Sequence, residues 1–418
     1  MLIHKAHQLA VHVLLLTGAV GLFCAPVAAK DPVAELQAQL DRGDLKLNYE
    51  ATRGYLASVL HALKVPVDSQ GLVFSKTSFQ ASRISPQTPR ALYFNDDVYV
   101  GWVWGGDVIE LASVDPQHGP VFYLLYQKKT QRPRFIRENA SCLQCHQSQL
   151  TGDVPGLLMR SVYPDHTGMP VLTAGTYVTT DQSPMSQRWG GWYMDGKSAE
   201  PGLANGLVND ANHPEDLSGT GDSFRGRFDA SEYLSAHSDP VALLVLAHQT
   251  HLHNLLTKAH DETLAALKEE AAIAQVLGDK TNEHSDSTLA RIKAVCEPVV
   301  QCMLFSGEAK YPGPIEGSSG FTSRFESLGP RDSKGRSLRD FDLRRRLFKY
   351  PCSYLIYSEQ FDSLPDAAKQ YIYRRMWKIL TGRDDSPAFN HLSDADRDAI
   401  YQILRQTKKD LPAYWNKP

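Results

Sequence analysis

Between residues 89 and 180 the chain takes on a period of two, and this stretch constrains the fold more than any other. Four runs, 91–94, 98–104, 108–114 and 121–126, are rich in aromatic and β-branched residues. Turn formers separate them: Asn95-Asp96-Asp97, Gly105-Gly106, and the segment from Asp115-Pro116 to Gly119. In the second run Val98, Val100, Trp102 and Trp104 alternate with Tyr99, Gly101 and Val103, the pattern of a half-buried strand. A further hairpin is expected from 157–163 and 171–180, joined by Pro164-Asp165-His166-Thr167-Gly168. The middle of the chain therefore reads as an antiparallel meander.

The flanks read differently. Residues 30–80 form a helical lead, with Leu36, Leu40, Leu56, Val59, Leu60 and Leu63 at helical spacing, before the β-rich region of 81–200. A connection rich in Gly, Asp and Ser covers 201–239. From 240 to 418 the texture is mainly helical. Helices are expected over 241–258 and 261–276, over 365–380 behind Pro365, and through Leu404 behind a capping box of Ser393 and Asp396. The expected class is α+β, an antiparallel β-rich middle packed beside a helical C-terminal half.

Composition narrows the function classes. With 42% hydrophobic and 22% charged residues the chain can bury a core and is not a disordered polyampholyte. A formal charge of -3 gives no general attraction to nucleic acid or to an anionic membrane. Residues 1–29 begin with His4, Lys5 and His7, continue with an apolar run over 9–23, and end with the small residues Val27 and Ala29. This is the pattern of an export signal cleaved after Ala29, which places the mature chain in the periplasm or another oxidising, extracytoplasmic space. The run falls short of the ~20 residues that a spanning helix needs, and no second stretch approaches that length, so no membrane span is expected after cleavage. Six cysteines are too few for a disulfide scaffold. Cys24 belongs to the signal, and Cys296, Cys302 and Cys352 allow one disulfide and an odd thiol.

The other two cysteines carry specific chemistry. Cys142-Leu143-Gln144-Cys145-His146 is a C-x-x-C-H run, in which two thiols add across the vinyl groups of haem and the adjoining histidine becomes the proximal iron ligand. At this cysteine and histidine content, chance would give about 0.003 such runs per chain. A thioredoxin-like pair wants a βαβ setting and usually an aromatic before the first cysteine, where this chain has Ser141; half a zinc site wants a second ligand pair, and there is no second C-x-x-C.

On these five residues the chain resembles the c-type cytochromes. The resemblance implies one covalent haem c held by Cys142 and Cys145, with His146 on the iron. The residues after His146 lack the long helical pattern of small cytochromes c. Arg188-Trp189-Gly190-Gly191-Trp192 and the stretch from Arg346-Leu347-Phe348 to Cys352-Ser353-Tyr354 are similar to segments of large exported bacterial proteins described only as containing a cytochrome c domain. That similarity brings no known activity with it.

A second axial ligand separates a carrier from a catalyst, because an open sixth position can bind peroxide, oxygen or NO. His248 lies in line with Val241, Val245, Leu252 and Leu255, within an apolar stripe that His251 borders; His253 points away and is expected in solvent. His248 or His251 is therefore the expected distal metal ligand, with Met185 the strongest thioether alternative. Trp189, Trp192 and Tyr193 pack a turn or flank the porphyrin, and the basic stretch 331–349 is expected to be an ion-paired surface. These features support two functions. One is an exported monohaem cytochrome that passes electrons to a redox partner protein. The other is a haem enzyme of peroxidase- or oxygenase-like character with a distal histidine pocket.

Overall fold

The computed structural model describes residues 31–278 and 283–416. The expected export signal, 1–29, lies outside the described residues. The period-two runs form antiparallel strands: β1 (Gly71–Val73), β2 (Arg90–Phe94), β3 (Val98–Val103), β4 (Val108–Asp115), β5 (Gly119–Tyr126) and β6 (Phe135–Arg137). Together with the later β9 (Trp192–Tyr193) they make one seven-stranded sheet in the order β6-β5-β4-β3-β2-β1-β9. The expected hairpin after the cysteine motif survives only as β7 (Arg160–Val162) and β8 (Thr176–Val178), a separate two-stranded sheet.

The alternation in β3 sorts its side chains between two cores. Val98, Val100 and Trp102 join a cluster with Val33, Leu56 and Val59, on the face covered by α1 (Pro32–Arg42) and α2 (Leu56–Ala62). Tyr99 joins the opposite cluster, which takes in the C-terminal helices. All six residues of β3 are buried, so the half-buried reading is corrected: both faces are covered, because the helical half packs where solvent was expected. Trp104, just past the strand, is exposed.

The second face is roofed by α4 (Pro240–Leu277), a single helix of 38 residues where two were expected. Asp239 caps its start, its Oδ1 accepting from the amides of Val241 and Ala242, and Gly278 ends it in the left-handed region. The expected boundary fell between 258 and 261. The buried stripe of Leu252, Leu256, Ala259, Thr263 and Ala266 nevertheless runs through it without a change of step, so the helix continues. The sequence between strands and roof carries α3 (Ala140–His146), and beyond the roof lie α5 (Asp286–Met303), α6 (Phe321–Ser327), α7 (Glu359–Asp362), α8 (Asp366–Leu380) and α9 (Asp394–Thr407). The expected capping box at Ser393 and Asp396 is present at the start of α9. One core thus runs from Val73 on the sheet to Trp415 near the end, and the fold is mixed helix and strand around a central antiparallel sheet. Among the described residues no helix is long and apolar enough to cross a membrane.

Candidate cofactor site

Helix α3 is short, seven residues, and it carries all three side chains of the motif. Cys142 and Cys145, three residues apart, fall on one face, with Cys142 half-buried and Cys145 exposed. The Glu138 carboxylate accepts from the Ser141 amide at 3.0 Å and satisfies one of the helix's free N–H groups. Burial, followed by the charges of Glu110 and Glu138, pushes the Cys142 thiol up to about 11. A nucleophilic redox cysteine needs the opposite shift. The two sulfurs are not joined to each other.

His146 is clamped. Its Nδ1 lies 2.8 Å from the Gly156 carbonyl oxygen, and the Gly156 amide donates to the His146 carbonyl at 2.7 Å. The ring leans on Phe122 of β5, with centroids 4.7 Å apart. A proton on Nδ1, given to a carbonyl, leaves the lone pair on Nε2. Burial lowers the basicity of this imidazole and favours its neutral form. Gly156 has to be glycine, since a Cβ there would lie 2.7 Å from Asn254 Oδ1 and 2.7 Å from Thr151 Cβ. Asn254 of α4 in turn accepts from the Leu157 amide at 2.7 Å and donates to the Leu157 carbonyl at 2.8 Å, so the roof helix fixes the loop that fixes His146. Sequence reasoning missed Gly156, Phe122 and Asn254. Only Asn254, a polar residue three positions past His251 on an apolar helix, carried a signal.

On the sheet beneath, Gly101 leaves room for the Arg90 guanidinium, which a Cβ would meet at 2.1 Å. Arg90 Nη2 donates to Glu110 Oε2 at 2.8 Å, while Arg90 Nε is buried with no partner among the described residues. The charge of Glu110 bears on Cys142 and that of Arg90 on His146.

The structure brings His248 and His251 together, as their spacing implied, and gives them partners that were not anticipated. His251 Nδ1 lies 2.9 Å from Asp181 Oδ1, and His248 Nδ1 lies 3.8 Å from the same oxygen. Cys302 Sγ of α5 is 3.6 Å from His251 Nδ1, 4.0 Å from His248 Nδ1 and 4.0 Å from Asp181 Oδ1. His248 Nε2 is taken by Ser353 Oγ at 2.8 Å, and its ring stacks on Phe305 at 4.3 Å. Both nitrogens of His248 thus face protein groups. The two histidines draw the Asp181 carboxylate well below the usual range, against its burial. Arg188, fully buried, holds this loop by donating to the Asp181 carbonyl at 2.9 Å and the Ser183 carbonyl at 2.8 Å.

His253 is buried, not solvated, its Nδ1 at 2.6 Å from Gln360 Oε1 and its Nε2 at 2.9 Å from the Asp96 carbonyl. The reason is that at His253 the helix faces α7 through Gln360 and the β2–β3 turn through Asp96, so both ring nitrogens meet protein. Met185 is buried in the core shared with α4. Trp189 and Tyr193 are fully buried, and Tyr193 packs on Phe74, Phe224 and Phe228. In the basic stretch Arg331, Arg336, Arg339, Arg345 and Arg346 all pair with aspartates, as expected. Cys296, Cys302 and Cys352 are all buried free thiols, so the one disulfide allowed for them is not formed. No known protein family, curated protein or solved structure matches the chain.

Proposed function

We propose that the chain is an exported monohaem c-type cytochrome that transfers electrons to a redox partner protein, with covalent haem on Cys142 and Cys145 and His146 as proximal ligand. The finer architecture belongs to this reading: the β-rich middle bears the haem motif and the helical half forms the frame that holds it. The observation that carries the reading is the His146–Gly156 clamp. It fixes the tautomer that leaves Nε2 free for a metal, in the way that iron-ligating histidines are held by a carbonyl at their other nitrogen. The donor set fits the group. Two unpaired thiols share one face, a neutral imidazole comes after them, and Arg90, whose charge bears on His146, has a buried Nε without a partner among the described residues.

Haem would supply a one-electron couple. The chain's own part is to orient His146, to keep the imidazole neutral, and to hold the Cys142–Cys145 face at the surface where a partner can approach. The ion-paired stretch 331–349 has most of its arginines committed to aspartates.

Purified exported protein should give a c-type pyridine haemochrome, with one haem per chain that survives acid and organic solvent. Replacing both Cys142 and Cys145 with alanine should make all of that haem extractable. Absence of haem from the wild type, or haem retained on the double variant after extraction, would overturn the assignment. Carbon monoxide tests the peroxidase- or oxygenase-like alternative: a carrier with both axial positions filled leaves the ferrous spectrum unchanged, and CO binding would favour the enzyme.

A further inference from the structure

We propose that Asp181, His248, His251 and Cys302 form a second metal centre, a four-coordinate zinc site separate from the cysteine motif and its histidine. Four donor atoms converge from three parts of the chain: the loop after β8, one face of α4, and the last turn of α5. Their separations are 2.9, 3.6, 3.8, 4.0 and 4.0 Å for five of the six pairs. Zinc binds nitrogen and oxygen at about 2.0–2.1 Å and thiolate at about 2.3 Å, so the edges of its tetrahedron are about 3.3–3.6 Å. Shifts of a few tenths of an ångström would seat the ion. Asp181, His248 and Cys302 are fully buried, and all their ligand atoms lie within 4.8 Å of one another.

Hydrogen bonding alone leaves this corner incomplete. One oxygen of Asp181 faces two imidazoles and a thiol, while the other, Oδ2, is buried with no partner among the described residues. A buried carboxylate costs free energy unless a cation meets it, and zinc bound through Oδ1 would neutralise the group to which Oδ2 belongs. With zinc, the carboxylate and the Cys302 thiolate together cancel the charge of the ion. Loading then releases the Cys302 proton to water and leaves a neutral buried centre.

The surroundings hold the ligands as metal ligands are held. The proton of His248 moves to Nε2, which donates to Ser353 Oγ and frees Nδ1 for the ion. Arg188 and the Ala309 amide fix the Asp181 backbone. His251, whose side chain is 22% exposed, gives the ion an entry path. A single sulfur with two imidazoles and a carboxylate excludes the all-oxygen sites of magnesium and calcium. Copper sites with one Cys and two His take a weak thioether or amide as the fourth donor, whereas the fourth donor here is a carboxylate, which favours zinc.

The test uses the full exported chain with its haem, grown with added zinc. Elemental analysis should give one zinc per chain. Absorption at the zinc edge, which haem does not obscure, should show one sulfur and three nitrogen or oxygen neighbours. In Cys302→Ser the sulfur neighbour should disappear and zinc retention after dialysis against a chelator should fall at least tenfold. The part-exposed His251→Ala should show the same loss of retention with its haem spectrum unchanged, and this variant decides the matter if Cys302→Ser fails to fold. Cys142→Ala with Cys145→Ala should keep the zinc and its single sulfur. Wild type without stoichiometric zinc, copper in its place, or a sulfur neighbour that persists in Cys302→Ser and vanishes with Cys142 and Cys145, would overturn the proposal. A change of haem axial ligation in His251→Ala would also overturn it, since that residue would then belong to the iron.

Discussion

Asp97, in the turn between β2 and β3, carries a carboxyl that the fold prefers protonated. Burial is the main cause, and the neighbouring carboxylates of Asp96 and Glu359 add to it against the pull of Arg339; together they push Asp97 from 3.8 up to about 7. The folded chain therefore holds a proton that the unfolded chain has lost between those values. Its contribution to stability is complete below about pH 4 and is lost as pH rises through 7. Thermal unfolding should show a lower midpoint at pH 8 than at pH 5, and Asp97→Asn, neutral throughout, should shrink that difference. An undiminished difference in the variant would assign the pH dependence to other groups. At this scale the sequence was informative where chemistry is local. Cys142, Cys145 and His146 could be singled out as candidates because five consecutive residues define the motif. Asp181 could not, because its partners lie 67, 70 and 121 positions away and nothing near it marks a ligand.

At the scale of elements, α4 contributes to both proposed sites. His248 and His251 lie three residues apart on it, and Asn254 is three further on, about one turn of helix. Asn254 is the tie between this helix and the loop that clamps His146. Asn254→Ala leaves the Leu157 amide and carbonyl without these partners, at a cost of about 1–3 kcal/mol. Urea unfolding should show that loss. The variant should also have a perturbed haem spectrum, because Gly156 is released together with Leu157. A stability loss with an unaltered spectrum would mean that the clamp holds without the helix. The periodicities gave the strands of the meander, the start of α9 and most of α4's buried face. They failed at the expected boundary of 258–261, which lies within α4, and in the burial of His253 beneath α7.

At the scale of the whole molecule, the seven-stranded sheet is shared by two hydrophobic cores, one under α1 and α2 and one under α4 and the later helices. Neither core can be exposed without uncovering the sheet that belongs to both. Far-ultraviolet circular dichroism and haem absorption should therefore report a single coincident unfolding transition. Two separated midpoints would show that the halves melt independently. The mixture of helix and strand and the antiparallel sheet in the middle were readable from the chain. The covering of both sheet faces was not, because alternation within one strand cannot show what packs on its second side.

The span of sequence that each set of donors covers also sets an order of maturation. Cys142, Cys145 and His146 are within four positions of one another, so closing them together costs little chain entropy and can happen on a chain that has not folded. The corner of Asp181, His248, His251 and Cys302 spans 121 positions and requires α4, α5 and the loop after β8 to have met. On the proposed function, the chain could thus be fitted with its first group while still open, whereas the proposed second would have to wait until the fold has closed around it.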